Sequence, residues 1–365
     1  MDVYLEKSFL SKFGKWNHSL ETLAVETASQ NLQGVDLDSI DLFLFTSFSP
    51  DVYTGETHLS AKIADAIGIR NAFVFRSETA SSSGASALHI AYHFLSSGQF
   101  SKALVLGGEL MSKLDREKSN LLLGSVMGEG QIALGMSMAQ GGALVTNRYL
   151  YEYGYKREDL FFLSKKLHDN GLKNPNAHIQ KNLTSEEYAK APTFCSPLGL
   201  YDISPLSDGL AGVLLTTSRT EMVVRGVGYG TSPISAIPGT SFPASCKAFS
   251  KAYAMAKISP KEISAAELHD AFTPFELVGA EDAGLFPKGK ALRAVIEKET
   301  DIDGRLPINP SGGLKSRGHP IGASGLAQIV ELRNFLRDYR KQFGLAHSIG
   351  GLATNNFATI LENLG

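Results

Sequence analysis

The sequence predicts an α/β fold that is built from two copies of one structural unit. Segments typical of buried strands alternate with segments of helical periodicity, which indicates a central sheet with helices packed on it. The stretch Gly322-Ala-Ser-Gly-Leu-Ala-Gln-Ile-Val330 repeats the form of Gly84-Ala-Ser-Ala-Leu-His-Ile-Ala91. We therefore interpret the chain as an internal duplication, in which these two stretches occupy related places.

The first copy occupies the N-terminal part of the chain. Its predicted strands span residues 3–5, 40–45, 72–75 and 103–106, and its predicted helices span residues 20–32, 56–67 and 87–95. Gly68 closes the second of these helices. The third helix is apolar nearly all round, so we expect it to lie inside the protein rather than on its surface.

The second copy occupies the C-terminal part. Its predicted strands span residues 223–229, 265–268 and 357–361, and a helix covers residues 249–256. A further helix begins within the stretch 309–326 and continues with apolar residues at helical spacing. In a two-fold arrangement this helix and the helix at 87–95 point their N-termini toward a shared centre, which would favour an anion.

A long insert separates the two copies. We divide the chain into an N-terminal half (1–111 and 205–220), an inserted loop domain (112–204) and a C-terminal half (221–365). Tyrosines alternate over residues 149–155, but the glycine at 154 favours a helix end, a turn and a new helix. Four lysines of the insert are predicted to form a solvated face, with phosphate contact as the lesser alternative: Lys165, Lys166, Lys173 and Lys181.

Composition restricts the class of protein and its partners. The net charge of −2 gives no reason to expect nucleic acid or a membrane surface as a partner. The first twenty residues do not read as a signal peptide, and no later run is apolar enough to span a bilayer. Cys195 and Cys246 lie far apart, which fits a reducing compartment, so we predict a cytoplasmic location.

The stretch 309–326 is a glycine- and proline-rich loop that leads into a helix. Gly318, Gly322 and Gly325 let the backbone approach whatever binds there. His319 stands between a glycine and a proline, so the direction of its ring is set by a stiff segment. A simple turn and helix cap would need far fewer special residues, and we therefore predict a binding site here.

The stretch Asn309-Pro-Ser-Gly-Gly-Leu-Lys-Ser-Arg-Gly-His-Pro-Ile-Gly-Ala323 resembles the C-terminal signature of thiolases, and is closest to the sterol-carrier-protein type. His269-Asp-Ala-Phe272 and Asn174-Pro-Asn-Ala-His178 resemble two further segments of the family, so the resemblance covers essentially the whole chain. It implies a duplicated thiolase fold, a five-layer αβαβα sandwich, whose inserted loop domain covers coenzyme A. It also implies an acyl-CoA thioester as substrate, no covalently bound cofactor, no metal and a homodimer.

The resemblance also implies roles for individual residues. The family makes or breaks the bond between the α- and β-carbons of a 3-oxoacyl-CoA. His319 falls on the histidine that activates the nucleophile and donates to one oxyanion, and His269 falls on the histidine that supports the same oxyanion hole. Ser81 falls on the nucleophile, at the N-terminus of the buried first-half helix. The amides of Ser81 and Gly350 match the second oxyanion hole.

The chain departs from the family at every position that normally carries a thiol. The nucleophilic cysteine is replaced by Ser81, and the two alternative positions of the acid/base cysteine hold Ala271 and Ser348. A free cysteine has a pKa of about 8.5, whereas a serine hydroxyl must lose its proton to a base during attack. His319 could be that base, but neither Ala271 nor Ser348 can move a proton at the α-carbon at neutral pH.

Three interpretations remain open from the sequence. The chain is an acyl-CoA enzyme without a catalytic cysteine, using Ser81 as acyl acceptor or cleaving a β-hydroxyacyl-CoA by a retro-aldol reaction with a small OB-fold or zinc-ribbon partner. Alternatively, it is a non-catalytic subunit that binds acyl-CoA, although such a subunit would not need the Gly-His-Pro loop. An engineered Ser81 would not explain Ala271 and Ser348.

Overall fold

The computed structural model describes residues 1–365, except for the side chain of Arg116. The strands are β1 (Tyr4–Leu10), β2 (Leu42–Thr46), β3 (Phe73–Ser77), β4 (Lys102–Leu110), β5 (Thr193–Cys195), β6 (Leu198–Gly199), β7 (Asp208–Thr216), β8 (Met222–Thr231), β9 (Ile263–Glu267), β10 (Phe343–Gly350) and β11 (Asn355–Asn363). The helices are α1 (Leu20–Asn31), α2 (Pro50–Thr54), α3 (Leu59–Ile67), α4 (Ser83–Ser96), α5 (Arg116–Gly124), α6 (Glu129–Ala133), α7 (Met138–Tyr153), α8 (Leu160–Lys173), α9 (Ser185–Lys190), α10 (Pro243–Ala256), α11 (Pro274–Asp282), α12 (Ala291–Ile296), α13 (Gly313–Ser316) and α14 (Ile321–Asp338).

The strand order shows the duplication directly. The large sheet runs β3-β2-β4-β7-β1-β8-β11-β10-β9. Strands β2-β4-β7-β1 and strands β9-β10-β11-β8 repeat one arrangement, because the first pair of each is parallel and the next two pairs are antiparallel. The two halves meet at β1 and β8, where Val224 N donates to Val3 O at 2.9 Å. The predicted internal repeat is confirmed.

Alternate residues of the strands face two different helix layers. In β4, Ala103 and Val105 pack in the core that contains α4 and α14, whereas Leu104 and Leu106 pack in the core that contains α1 and α3. On the other side, the outer face of β10 and β11 packs against α7, α8, α10, α11 and α12. Helices α4 and α14 therefore lie between the two half-sheets, which gives the predicted five layers.

Two glycines bring the N-terminal ends of α4 and α14 into direct contact. A Cβ atom on Gly325 would lie 2.4 Å from Ala85 N, and a Cβ atom on Gly84 would lie 2.8 Å from Leu326 N. Such separations leave no room for a side chain, so the helix backbones touch. Ser81 and His319 each stand two residues before one of these helices.

The element types match the predictions, but several boundaries differ. Helix α4 begins at Ser83 rather than at residue 87, because small polar residues carry no apolar periodicity yet form helical turns here. Gly154 ends α7 in the left-handed conformation, as expected for the tyrosine-rich segment. Between β4 and β7 lie α5 to α9 and the hairpin β5–β6. Our domain boundaries within this region stay a prediction.

No described helix is both long enough and apolar enough to cross a bilayer.

We expect Gly325→Ala to lower the free energy of unfolding by about 1–3 kcal/mol, because the added methyl group forces α4 and α14 apart. Chemical denaturation measures this difference. Gly130→Ala is a matched control, since no atom lies within 4 Å of its Cβ position and α6 is a helix. The control should be unchanged or more stable by roughly 0.5–1 kcal/mol. Equal stability of Gly325→Ala and the unmodified protein would contradict the close contact.

Candidate active site

His319 is buried, and its hydrogen bonds determine which ring nitrogen carries the proton. Its Nδ1 lies 2.6 Å from Ser324 Oγ, and that hydroxyl donates its only proton to Pro320 O at 2.9 Å. With the hydroxyl proton assigned to Pro320 O, Ser324 Oγ accepts from Nδ1–H of His319. Nε2 is then the unprotonated nitrogen, and it has no hydrogen-bond partner among the described residues. This tautomer suits a general base better than an oxyanion donor.

His269 faces His319 from the end of β9. The two ring centroids are 5.4 Å apart and the ring planes meet at 87°. Burial, with a smaller contribution from nearby Arg317, lowers the pKa of His319 to about 3. Burial also lowers the pKa of His269 well below its usual value, with smaller contributions from His319, His347 and Arg317. Both imidazoles are therefore neutral at neutral pH.

The turn before α4 leaves one serine hydroxyl free. Ser82 Oγ donates to Thr79 O at 2.8 Å, Ser83 Oγ donates to Ala80 O at 2.6 Å, and Ser86 Oγ donates to Ser83 O at 2.9 Å. Across the described residues, the hydroxyl of Ser81 makes no hydrogen bond, and this residue is only half-buried. The hydroxyls of the neighbouring serines stabilise the turn, whereas the hydroxyl of Ser81 remains available for another contact.

The backbone immediately before Ser81 is strained. Ala80 has φ +52°, a left-handed conformation that is uncommon for a residue with a side chain. The amide of Ala80 donates to the Glu78 carboxylate. Strain of this kind persists where the surrounding structure enforces it, and it often accompanies functional sites.

Gly350 packs against the same turn from the second half of the protein. A Cβ atom there would lie 2.3 Å from Thr79 O and 2.4 Å from Ser82 Oγ. No other residue type fits this position without displacing the turn. The structure thus brings Gly350 to the turn of Ser81, brings His269 to His319, and links the two groups through the contact of α4 with α14.

Neither vacant thiol position carries a group that is free to transfer protons. Ser348 Oγ donates to Gln328 Oε1 at 2.5 Å, and Gln328 Nε2 donates to His347 O at 2.8 Å. Ala271 offers only its backbone carbonyl, which accepts from Ser204 N at 2.9 Å. The two cysteines do not replace the missing thiols, since Cys195 lies in β5 and Cys246 lies in α10.

The N-terminus of α14 already has an acidic partner. Gly322 N and Phe48 N both donate to Glu109 Oε2, at 2.8 and 2.9 Å. Glu109 is fully buried, and burial raises its pKa. The expectation that this helix end would be open to a substrate anion is therefore wrong for the amide of Gly322. The amides of Ser81 and Gly350 stay the predicted donors of the second oxyanion hole.

Sequence reasoning missed three residues that support the site: Ser324, Gln328 and Glu109. Ser324 follows His319 by five residues across a helix start, and this spacing could have indicated contact. Glu109 and Gly322 are 213 residues apart, and no local pattern connects them. The helix α14 contributes two of these supports, so its role extends beyond the predicted loop.

The insert lies directly on the loop that carries His319. His178 N donates to Arg317 O and Ile179 N donates to Ser316 O, both at 2.9 Å. His178 Nδ1 also lies 2.7 Å from Ser207 Oγ, which accepts from His319 N at 3.2 Å. The segment 174–179 therefore belongs to the support of the site.

Lys166 does not belong to a solvated face. Its side chain is buried and forms an ion pair with Glu276, and it donates to Ile308 O at 3.1 Å. The prediction was wrong because a helix-period count cannot show that a carboxylate from another helix meets this lysine. Lys165 pairs with Asp169 near the surface, as expected of an exposed helix face.

A cavity of about 350 Å³ adjoins the turn of Ser81. Its walls come from both halves and from the insert, and they include Thr79, Ala80, Gly350, Val126 and Asn355.

Comparison with known families agrees with this geometry. Residues 10–219 match the family described as "Thiolase, N-terminal domain", and residues 226–363 match "Thiolase C-terminal domain-like". The chain belongs to the thiolase family.

Individual relatives place it more closely. It is 31% identical over 361 residues to an acetyl-CoA acetyltransferase of Methanothermobacter thermautotrophicus, covering 93% of this chain and 94% of the relative. It is 30% identical over 368 residues to an acetyl-CoA acetyltransferase of Methanocaldococcus jannaschii, with the same coverage of 93% and 94%. Among solved structures, the Ltp2-ChsH2(DUF35) aldolase shares the fold with a TM-score of 0.81 at 20% identity, over 100% of this chain and 98% of that chain.

We expect the population of the Nδ1–H tautomer of His319 to fall in Ser324→Ala, because the variant removes the acceptor of that proton. A hydrogen bond worth about 1 kcal/mol changes the tautomer ratio roughly fivefold. Nitrogen NMR of the ring, assigned with His319→Gln, measures the ratio. Ser245→Ala, which removes the partner of His347 Nε2 and of the Asn356 side chain, should leave His319 unchanged. A proton on Nε2 of His319 in the unmodified protein would contradict the assignment.

Proposed function

We propose that this protein binds acyl-CoA thioesters and transfers the acyl group through Ser81. The observation that carries the proposal is the free hydroxyl of Ser81, in a strained turn at the family's nucleophile position, while the hydroxyls beside it are hydrogen-bonded. The neutral imidazole of His319, with Nε2 unprotonated, supports the proposal as a base in the same region.

The proposed step uses these groups as follows. Ser81 Oγ attacks the thioester carbonyl while its proton passes to Nε2 of His319. The amides of Ser81 and Gly350 stabilise the oxyanion, and one such donor is worth about 2.7–4 kcal/mol. When the carbon–sulfur bond breaks, the proton passes from His319 to the departing thiolate of coenzyme A. His269 supports the imidazole of His319 by ring contact.

Carbon–carbon bond chemistry of the thiolase kind needs a second acid/base group at the α-carbon. Such a group contributes typically about 10²- to 10⁴-fold. Ala271 has no such group, and Ser348 is held by Gln328. We therefore propose altered chemistry, in which thiolysis of a 3-oxoacyl-CoA is very weak.

Two alternatives remain as proposals. A retro-aldol cleavage of a 3-hydroxyacyl-CoA would use His319 to take the hydroxyl proton and would need no acyl-serine. The solved structure with the same fold is an aldolase with a DUF35 partner, which supports a search for a small OB-fold partner here. A non-catalytic acyl-CoA-binding subunit is the second alternative, and the loss of all three thiols supports it.

We also propose a homodimer in the cytoplasm. Strand β3 ends the sheet, and Phe73 on this strand is 53% exposed, so the edge could pair with a second copy. The unpaired cysteines support a reducing compartment.

The acyl-serine is tested by intact-mass spectrometry after incubation with acetyl-CoA, 3-oxoacyl-CoA and 3-hydroxyacyl-CoA. We expect an acyl mass gain with release of free coenzyme A, lost in Ser81→Ala and slowed in His319→Gln. Ser348→Ala is the matched serine control, and it should keep the adduct. Binding without an adduct would favour the retro-aldolase or the non-catalytic subunit. An absence of binding to all three thioesters would contradict the proposal as a whole.

We expect thiolysis to return when sulfur is restored at both positions. Ser81→Cys alone should form a thioester adduct more readily but remain a poor thiolase, because the acid/base group is still missing. The double variant Ser81→Cys with Ser348→Cys should exceed Ser81→Cys by roughly 10²- to 10⁴-fold in acetoacetyl-CoA consumption. Robust thiolysis by the unmodified protein would show that the missing thiols do not limit the reaction.

A further inference from the structure

One buried ion pair joins the two segments that carry the histidines. Arg317 stands two residues before His319, and Glu267 stands two residues before His269. Arg317 Nη1 lies 3.3 Å from Glu267 Oε2, and both side chains are completely buried. The pair therefore connects the end of β9 with the Gly-His-Pro loop. Each of its two residues stands two positions before one of the histidines.

Ser311 strengthens this connection from the start of the same loop. Its amide donates to Glu267 Oε1 at 3.0 Å, and its hydroxyl donates to Glu267 Oε2 at 2.8 Å. Arg317 Nη1 also donates to Ser311 Oγ, at 3.4 Å. The carboxylate of Glu267 is thus bound at both oxygens, which fixes its orientation toward Arg317.

Arg317 uses only part of its hydrogen-bonding capacity. Its Nε and Nη2 atoms are buried and have no hydrogen-bond partner among the described residues. The titratable groups that face this guanidinium from the surrounding elements are Glu267, Glu331, Asp270, His269 and His319. Burial raises the pKa of Glu267 to about 7, so its negative charge is costly without the arginine. A guanidinium with unused N–H groups beside two imidazoles opposes their protonation.

We propose that Arg317, held by Glu267, is a positioning residue that fixes the segment of His319 against the segment of His269. The use of this arrangement in acyl transfer rests on the proposed function, but the arrangement itself does not. A lysine or a neutral residue at position 317 would not reproduce both the charge and the planar contact with Glu267.

Ring-nitrogen NMR of the substrate-free protein tests the proposal through four variants: Arg317→Met, Arg317→Lys, Glu267→Gln and the control Arg333→Met. Arg333 is also a largely buried arginine, but it pairs with Glu221 away from the histidines. In Arg317→Met we expect the apparent pKa of His319 or His269 to rise by about one unit, because a nearby positive charge is lost. Arg317→Lys should keep the neutral rings, and Arg333→Met should change neither ring.

Glu267→Gln tests the positioning separately. It keeps the charge of Arg317 but removes its partner, so the rings should stay neutral while the inter-ring nuclear Overhauser contact weakens. If Arg317→Met does not fold, Glu267→Gln and Arg317→Lys together still test the positioning proposal. An unchanged ring contact in Arg317→Met, or in Glu267→Gln, would overturn the proposal.

These readouts need no substrate, so they separate the two proposals. If acyl-CoA does not bind while the NMR shifts follow the expectation, the acyl-transfer proposal fails and the positioning proposal stands. If acyl-serine forms with unchanged kinetics and pH dependence in Arg317→Met, the positioning proposal fails and acyl transfer stands. If acyl transfer occurs, Arg317→Met should lower kcat with little change in KM, since it loosens the position of the base rather than thioester binding.

Discussion

The backbone contact between the N-terminal ends of α4 and α14 is the constraint on which the site depends. Glycine at positions 84 and 325 allows the two helices to touch between the half-sheets. Each helix is preceded by a segment with a candidate reacting group, Ser81 in one case and His319 in the other. Any separation of the helices would move these groups apart, because both segments are anchored to the first turns that follow them. The middle helix layer therefore both contributes packing energy and positions the candidate reacting groups.

The candidate site keeps the histidines and the glycine that the family resemblance implies, but serine or alanine stands where it implies cysteine. Serine hydroxyls occupy several positions, but hydrogen bonding gives them different uses. Those of Ser82 and Ser83 hold the turn, that of Ser348 is bound by Gln328, and that of Ser81 remains free. These serine hydroxyls differ in their hydrogen-bond partners, since the residue type is the same. A free hydroxyl and a neutral imidazole, each two residues before one of the two central helices, are consistent with the proposed acyl transfer. The α-carbon proton transfer of a thiolase would need a group that neither Ala271 nor Ser348 supplies.

Buried charges surround the loop that carries His319. The ion pair of Lys166 with Glu276 and that of Arg317 with Glu267 are both nearly inaccessible to water. Asn309 connects them to β9, because its Nδ2 donates to Glu276 and its Oδ1 accepts from Leu268 N. Buried pairs of this kind contribute little net stability, since desolvation offsets the attraction, but an unpaired member would be very costly. A position of the loop that breaks either pair is therefore strongly disfavoured.

The sequence by itself determined the α/β class, the duplication, the buried character of the two central helices and the family. Local periodicity and one long motif indicate those features. It also indicated His319, His269, Ser81 and Gly350 as candidates, whose catalytic roles remain predictions. Only the tertiary structure decided that Glu109 occupies an amide of α14, that Ser324 sets the tautomer of His319, and that Lys166 is buried. Each of these depends on hydrogen bonds or ion pairs between groups that meet only when helices and strands pack, and hydrophobic periodicity carries no information about such partners.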